Sequence, residues 1–292
     1  MEPPVSKLQP FYRQVQAHYD LSNDFFAQFL DPSMTYSCAY FEPPDVSLDQ
    51  AQRNKIDLAL GKLDLKPGHR LLDVGCGWGS TLRRAVERYQ VRAVGLTLSR
   101  NQHGLARERL ADLGDRVEIR LQGWEEFNEQ VDRIVSIGAF EHFREERFAA
   151  FFDTCHRILP ADGRLLLHTI VKRDLAEMAA LGLEVTHEDV LFNKFILKTI
   201  FPGGQLRPAE VIRRYAETGG FRVERAHSLQ PHYARTLDTW AANLTAARDR
   251  AVTVASLQAF DDYQRYLTGC ARYFRTGHLD VIQFTCCKSV PE

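Results

Sequence analysis

The 292-residue chain contains no run of about 18 or more apolar residues, so no segment reads as a membrane-spanning helix. Its opening, MEPPVSKLQPFYRQ, has two early prolines and no apolar stretch, which argues against a secretory signal. An excess of one charge is also missing. Lys and Arg total 37 against 38 Asp and Glu, so no bulk field draws nucleic acid or an anionic membrane. A charged partner has to meet a local basic group such as Arg13, the Arg213 and Arg214 pair, or Arg248 with Arg250. Cysteine is sparse and unpatterned: Cys38, Cys76, Cys155, Cys270, Cys286 and Cys287 show no CxxC spacing. That argues against a metal site or a disulfide framework and suits reduced thiols in a cytoplasmic protein. Repeats and low-complexity tracts are absent, and 45% hydrophobic with 26% charged residues is the composition of an ordinary folded chain.

A helical pattern covers residues 11 to 31, with Phe11, Val15, Phe25, Phe26, Phe29 and Leu30 recurring until Asp31-Pro32 breaks it. A second helix is expected over 48 to 63, on Leu48, Ala51, Ile56, Leu60 and Leu63. From Arg70 short apolar runs at 71–74, 93–96, 117–121, 133–137 and 165–170 alternate with longer amphipathic stretches. That alternation predicts a parallel sheet covered on both faces. Two late strands, 221–228 and 279–287, flank a long helical segment over about 236–275. The expectation is one doubly wound α/β domain over 1–292, with its core at 66–171. Helical additions form a cover at 1–65, an insertion at 172–205 and, within 206–292, a further insertion at 230–278. Each is rich in large apolar side chains.

The strongest local signal is LLDVGCGWGS, residues 71–80, where an apolar strand runs into glycines and a helix follows at 81–89. Glycines there let the backbone turn tightly against a ligand, and the helix start offers free N–H groups. Dinucleotide binding predicts an acidic residue at the end of the next strand to hold ribose hydroxyls. That strand reads VGLTLS, residues 94–99, without an acid. Asp73 ahead of Gly75, Gly77 and Gly79 instead resembles the first motif of S-adenosylmethionine-dependent methyltransferases. Their Rossmann-like class I fold, a mostly parallel sheet ending in an antiparallel strand pair, suits the two late strands.

More extensively, the chain resembles the cyclopropane fatty acid synthases, and among them the mycolic acid cyclopropane synthases. The resemblance is carried by QAHYD (16–20), YSCAYF (36–41), the glycine loop, GLTLS with Asn101 and Gln102, and Gly123-Trp124. It continues through DRIVSIGAFEHF (132–143), HTI (168–170), FPGG (201–204), HYARTL (232–237) and YLTGC (266–270). It implies cofactor contacts from Tyr36, Ser37, Asp73, Gly75, Cys76, Gly77, Gly79, Thr97, Leu98, Gln102, Trp124, Glu125 and Ile137. Trp124 suits an adenine ring, and the Gln102 amide can bond hydroxyls without a charge.

The resemblance further implies S-adenosylmethionine-dependent methylation of a double bond in a long acyl chain, on acyl carrier protein or at a membrane surface. A π bond is a feeble nucleophile, so positioning carries much of the barrier, and the resulting cation must be kept from water. Closing a cyclopropane then needs a base, implied to be bound bicarbonate, at Cys38, Glu141, His168, Ile170 and Tyr233. His168 and Tyr233 are donors to an anion, Cys38 and Ile170 offer backbone N–H groups, and an ionised Glu141 accepts the bicarbonate O–H. Cys270, in the YLTGC segment, is a further catalytic candidate, although alkene methylation gives a thiolate no covalent task. Singly, a strand histidine reads more often as a core residue, and a tyrosine can be a packing aromatic. Alternatives are an enzyme leaving a methyl branch or an oxygenated product, a methyltransferase for a small amine or phenol, and a lipid- or nucleotide-binding module without catalysis.

Overall fold

The computed structural model describes residues 8–10 and 22–289. The expected helix over 11–21, Arg13 and the QAHYD segment lie outside the described residues. Seven strands form one sheet: β1 (Arg70–Val74), β2 (Arg92–Thr97), β3 (Val117–Leu121), β4 (Arg133–Ile137), β5 (Arg164–Lys172), β6 (Phe221–Ser228) and β7 (Leu279–Lys288). Their order is β3-β2-β1-β4-β5-β7-β6. The first five run parallel, and β7 enters antiparallel between β5 and β6.

Both faces of the central strands are apolar, as a buried parallel sheet requires. Leu71, Ala93, Val135 and Leu166 pack on Leu60 of α1 (Leu48–Leu60) and on Leu82 and Val86 of α2 (Ser80–Tyr89). Leu72, Val74, Val94, Leu96, Ile134, Leu165 and Leu167 face the other way. There they meet Phe148, Phe151 and Phe152 of α3 (Phe148–Ile158) and Ile212 and Ala216 of α4 (Ala209–Thr218). A third core lies beyond the sheet, where Phe25, Phe26, Phe29 and Leu30 meet Trp240, Tyr263 and Leu267.

Two helical expectations change. Only Asn23–Phe26 is helical in the described part of the first segment, capped by the Ser22 hydroxyl. Phe25, Phe26 and Phe29 are all fully buried, and Asp31 then turns the chain by accepting from the Ser33 and Thr35 amides. The segment expected at 236–275 starts earlier and divides into α5 (Gln230–Ala246), a short helix Arg248–Val254, and α6 (Leu257–Thr276). Ser256 starts the last of these by accepting from the Ala259 amide, so α6 can return along α5. In the 172–205 region, helices Leu175–Ala180 and His187–Phe195 bury no residue, and Leu175, Leu181, Leu191 and Leu197 are exposed. Of these, Leu175 and Leu197 line a cavity instead of filling a core.

Phe151 sits among Trp124, Phe140, Phe143 and Phe152 at ring distances of 5.2–5.4 Å. Phe151→Ala is expected to cost about 3–5 kcal/mol of stability by urea unfolding, and a loss below about 1 kcal/mol would contradict this packing.

Candidate active site

Two cavities open at the carboxyl ends of the parallel strands, where sheets of this topology place their ligands. The first lies over the glycine loop. Gly75 and Gly77 both have positive φ, at 86° and 54°. A Cβ on Gly75 would stand 2.4 Å from the Ala139 side chain, whereas one on Gly77 would point into open space. Close packing requires the first glycine, and the second leaves the cleft floor clear. Of the residues expected here, Tyr36, Ser37, Asp73, Cys76, Thr97, Leu98, Gln102, Trp124, Glu125 and Ile137 line the cleft with Gly75 and Gly77. Gly79 does not; it starts α2, where a side chain would meet Leu110.

Gln102 accepts from the Thr97 hydroxyl at 2.8 Å, which orients its amide at the cleft wall. Glu125 is clamped by Arg147 at 2.6 Å, and burial lifts its pKa. Trp124 is nearly buried, with its edge against Phe151 and its Nε1 without a partner. It is a core aromatic and a cleft wall at once. Sequence reasoning missed Lys55, which is fully buried and donates to Ser37 Oγ at 2.8 Å. Burial lowers its pKa to about 8, while Asp73 is pushed up to about 7 by burial against the pull of Lys55. Lys55 lies on the buried face of α1 between Ala51 and Ala59, where a helical lysine in sequence alone reads as solvated.

The second cavity, about 910 Å³, is bounded by the 172–205 region, α5, α6 and the ends of β5 and β7. Cys38, Glu141, His168, Ile170, Tyr233 and Cys270 all line it. Tyr36, Ser37, Gly138 and His142 belong to both cavities, so the two meet there. Aromatic walls come from Phe192, Phe201, Tyr233, Tyr266, Tyr273 and Phe274.

The polar groups at the junction are tightly specified. Glu141 Oε1 accepts from the Ile170 amide at 2.9 Å, and its Oε2 is buried without a partner. The Ile170 N–H, expected to face an anion, is therefore directed at Glu141. Burial raises the Glu141 carboxyl to about 7, against its own backbone amide, that of Ile170 and the Thr169 hydroxyl. Burial also holds His168 well below 6.5 and Tyr233 well above 10, so the first is neutral and the second protonated. Cys38 donates to the Ala39 carbonyl at 3.1 Å. Cys270 is pushed up to about 12 by burial alone, so it is a neutral thiol in the wall.

The model of the mycolic acid cyclopropane synthetase family matches residues 6–284. The chain belongs to that family. It is an S-adenosylmethionine-dependent methyltransferase with the class I fold. Cyclopropane mycolic acid synthase 3 of Mycobacterium tuberculosis (strain ATCC 25618 / H37Rv) is 57% identical over 282 residues, covering 96% of this chain and 98% of that relative. The solved structure of the cyclopropane synthase MmaA2 from Mycobacterium tuberculosis superposes with a TM-score of 0.96 at 52% identity, covering 97% of this chain and all of the other. That of mycolic acid cyclopropane synthase CmaA1 complexed with SAH and CTAB gives 0.94 at 54% identity, with the same coverage. Among the described residues, no helix is long and apolar enough to cross a membrane, and no cluster of metal-binding side chains occurs.

Two outcomes follow from this geometry. Gly77→Val places a branched side chain in the cleft, so calorimetry should show loss of S-adenosylhomocysteine binding while circular dichroism still reports the folded sheet; unchanged affinity would refute the placement. The second concerns Glu141. A carboxyl raised on folding contributes stability below its ordinary pKa of 4.5, and that contribution is lost as pH rises through about 7. Glu141→Gln should therefore raise the unfolding temperature relative to the parent, and by more at about pH 8 than at about pH 5. An equal effect at both would show that the carboxyl is not strained by burial.

Proposed function

We propose that this enzyme transfers a methyl group to a double bond of a long, mycolic-type acyl chain and closes a cyclopropane ring. The observation that carries this reading is the junction itself: an apolar cavity of about 910 Å³ meets the cofactor cleft at a small polar cluster. A small amine or phenol needs neither such a length of apolar wall nor the exposed apolar side chains of the 172–205 region. A long chain needs both. Such a chain arrives on acyl carrier protein or as part of a membrane phospholipid. The basic pairs on the surface speak little for a particular docking face, since Arg213 and Arg248 are already paired with Glu210 and Asp249.

S-adenosylmethionine, bound over the glycine loop, supplies the electrophilic methyl. Tyr36 and Ser37 hold the shared wall, so they position the alkene against that methyl. Tyr233, Tyr266, Phe201 and Phe274 line the cavity around the substrate carbon that becomes cationic, where aromatic rings stabilise it without a covalent bond and their bulk keeps water away.

The cluster suits a small oxyanion that also carries an O–H. Glu141 Oε2 is a buried acceptor without a partner, while Tyr233 and the neutral His168 are donors. Bicarbonate is such an anion, and bound there it would supply the base for the proton lost in ring closure. Glu141 would accept its O–H, with His168 and Tyr233 donating to its other oxygens and Cys38 lining the site. Ile170 contributes through Glu141, which its amide fixes.

Glu141→Gln tests the assignment. It replaces the needed acceptor by a donor, forfeiting a charge-assisted bond of about 1.5–3 kcal/mol and slowing ring closure roughly tenfold to more than a hundredfold. S-adenosylmethionine affinity should survive. Mass spectrometry and NMR of the lipid products should show methyl-branched or hydrated species rising at the expense of the ring. Full-rate cyclopropane formation without by-products would leave Glu141 a structural residue and refute the mechanism.

A further inference from the structure

Behind His168 runs a row of polar side chains that the chemistry above leaves unused. In the register of the sheet, Gln283 of β7 stands opposite His168 of β5 on one side and opposite His227 of β6 on the other. His168 and Gln283 are both buried. Lys62, two residues beyond α1, reaches into this row from outside the sheet. Its Nζ donates to Gln283 Oε1 at 2.6 Å and lies 3.2 Å from His227 Nδ1. On the opposite side of the same amide, Gln283 Nε2 lies 3.3 Å from His168 Nδ1.

The hydrogen-bonding capacities of these groups leave one consistent arrangement. An ammonium group has three donors and no acceptor, so the end of the Gln283 amide facing Lys62 must be its oxygen. The amide NH2 is thereby turned toward His168. A donor there requires an acceptor, so His168 Nδ1 carries the lone pair and the ring proton sits on Nε2. Burial keeps the imidazole neutral, so the lone pair is available. Lys62, lowered to about 8, keeps most of its charge at neutral pH, and His227, lowered to about 4, is neutral and able to accept from it. Were a neutral side chain to stand in place of Lys62, nothing would choose between the two amide orientations, and the histidine proton would be equally undetermined.

We propose that Lys62 and Gln283 are positioning residues that fix His168 as its Nε2–H tautomer, so that it presents a donor to an anion at the cavity junction. This rests on the anion-site reading given above and identifies how the chain sets that site from behind. No proton moves along the row. Its donors all point one way, from Lys62 through Gln283 to His168, and the ring N–H continues that direction toward the cavity that His168 lines.

The test is histidine-selective 13C and 15N labelling of the full chain, reading the tautomer from ring carbon shifts and two-bond nitrogen couplings, with His168→Asn assigning the signal. The parent should show Nε2–H. Gln283→Glu sets a carboxylate against Nδ1, which demands a donor, so the neutral ring's proton should move to Nδ1 and leave Nε2 an acceptor. Ring closure should then slow about tenfold to a hundredfold at unchanged S-adenosylmethionine affinity. Lys62→Met leaves the buried glutamine in place and should give a mixture of the two tautomers with a smaller rate loss. An Nδ1–H ring in the parent, or Nε2–H unchanged in both folded variants, overturns the proposal. A tautomer that shifts as described while ring closure keeps its full rate supports the network and refutes the anion site instead.

Discussion

The antiparallel pairing of β5 with β7 is the constraint on which the rest of this molecule depends. It runs from Arg164 opposite Cys287 to Lys172 opposite Leu279, well past the level at which β4 ends its own pairing with β5. Because β5 is extended in this way, Thr169 and Ile170 are held as strand beyond the last β4 pair, Ile137 opposite His168. Ile170 then orients Glu141 through a backbone amide, and Gln283 faces His168 across the ladder. The chain between β6 and β7 must leave this edge and return to it. In doing so it forms α5 and α6, which bring Tyr233, Tyr266 and Phe274 over the same site. One ladder thus supplies the polar cluster, its backing and its roof.

The energetic character of the site follows from dryness. Glu141 and Asp73 are both lifted toward about 7, Lys55 is lowered to about 8, and His168 is held neutral, in every case chiefly by burial. A fold selected for stability alone would place apolar groups at these positions. Keeping titratable groups there sacrifices stability for function, the relation expected where a site must stabilise charge that exists only during a reaction. Under the proposed function, the exposed Leu175 and Leu197 reflect the same compromise, since a long acyl chain needs an apolar way in.

The sheet was legible in the sequence because strand and helix periods differ and glycine marks the turns. The seven strands lie where the apolar runs are, and β3 and β4 begin and end at the expected residues. Helix boundaries were less legible. The break between α5 and α6 depends on a single serine cap, and the helix at Asn23–Phe26 is short because burial of phenylalanines at several positions around it outweighs a continuous helical stripe. The five residues expected around an anion line one cavity together with Cys270, a convergence that spacing alone does not reveal. What could not be read was the use made of backbone groups: nothing in the side chains says that the Ile170 amide serves Glu141. Lys55, Lys62 and Gln283 escaped notice for a related reason. A lysine on a helix or a glutamine in a strand ordinarily signals a solvated face, and only the fold shows that these three polar ends meet other polar groups.

The wall formed by Tyr36, Ser37, Gly138 and His142 has a thermodynamic consequence of its own. A surface common to two cavities cannot be adjusted for one occupant without being adjusted for the other. In the reaction proposed above, whatever factor the cofactor imposes on acyl-chain affinity, the acyl chain must impose on the cofactor, since the coupling free energy belongs to the pair. Loss of the methyl group and its positive charge alters the contacts on one side of that wall at the moment the lipid on the other side changes shape. The two products of that reaction therefore leave under a different mutual coupling from the one under which the reactants assembled, and the four shared residues are where that difference arises.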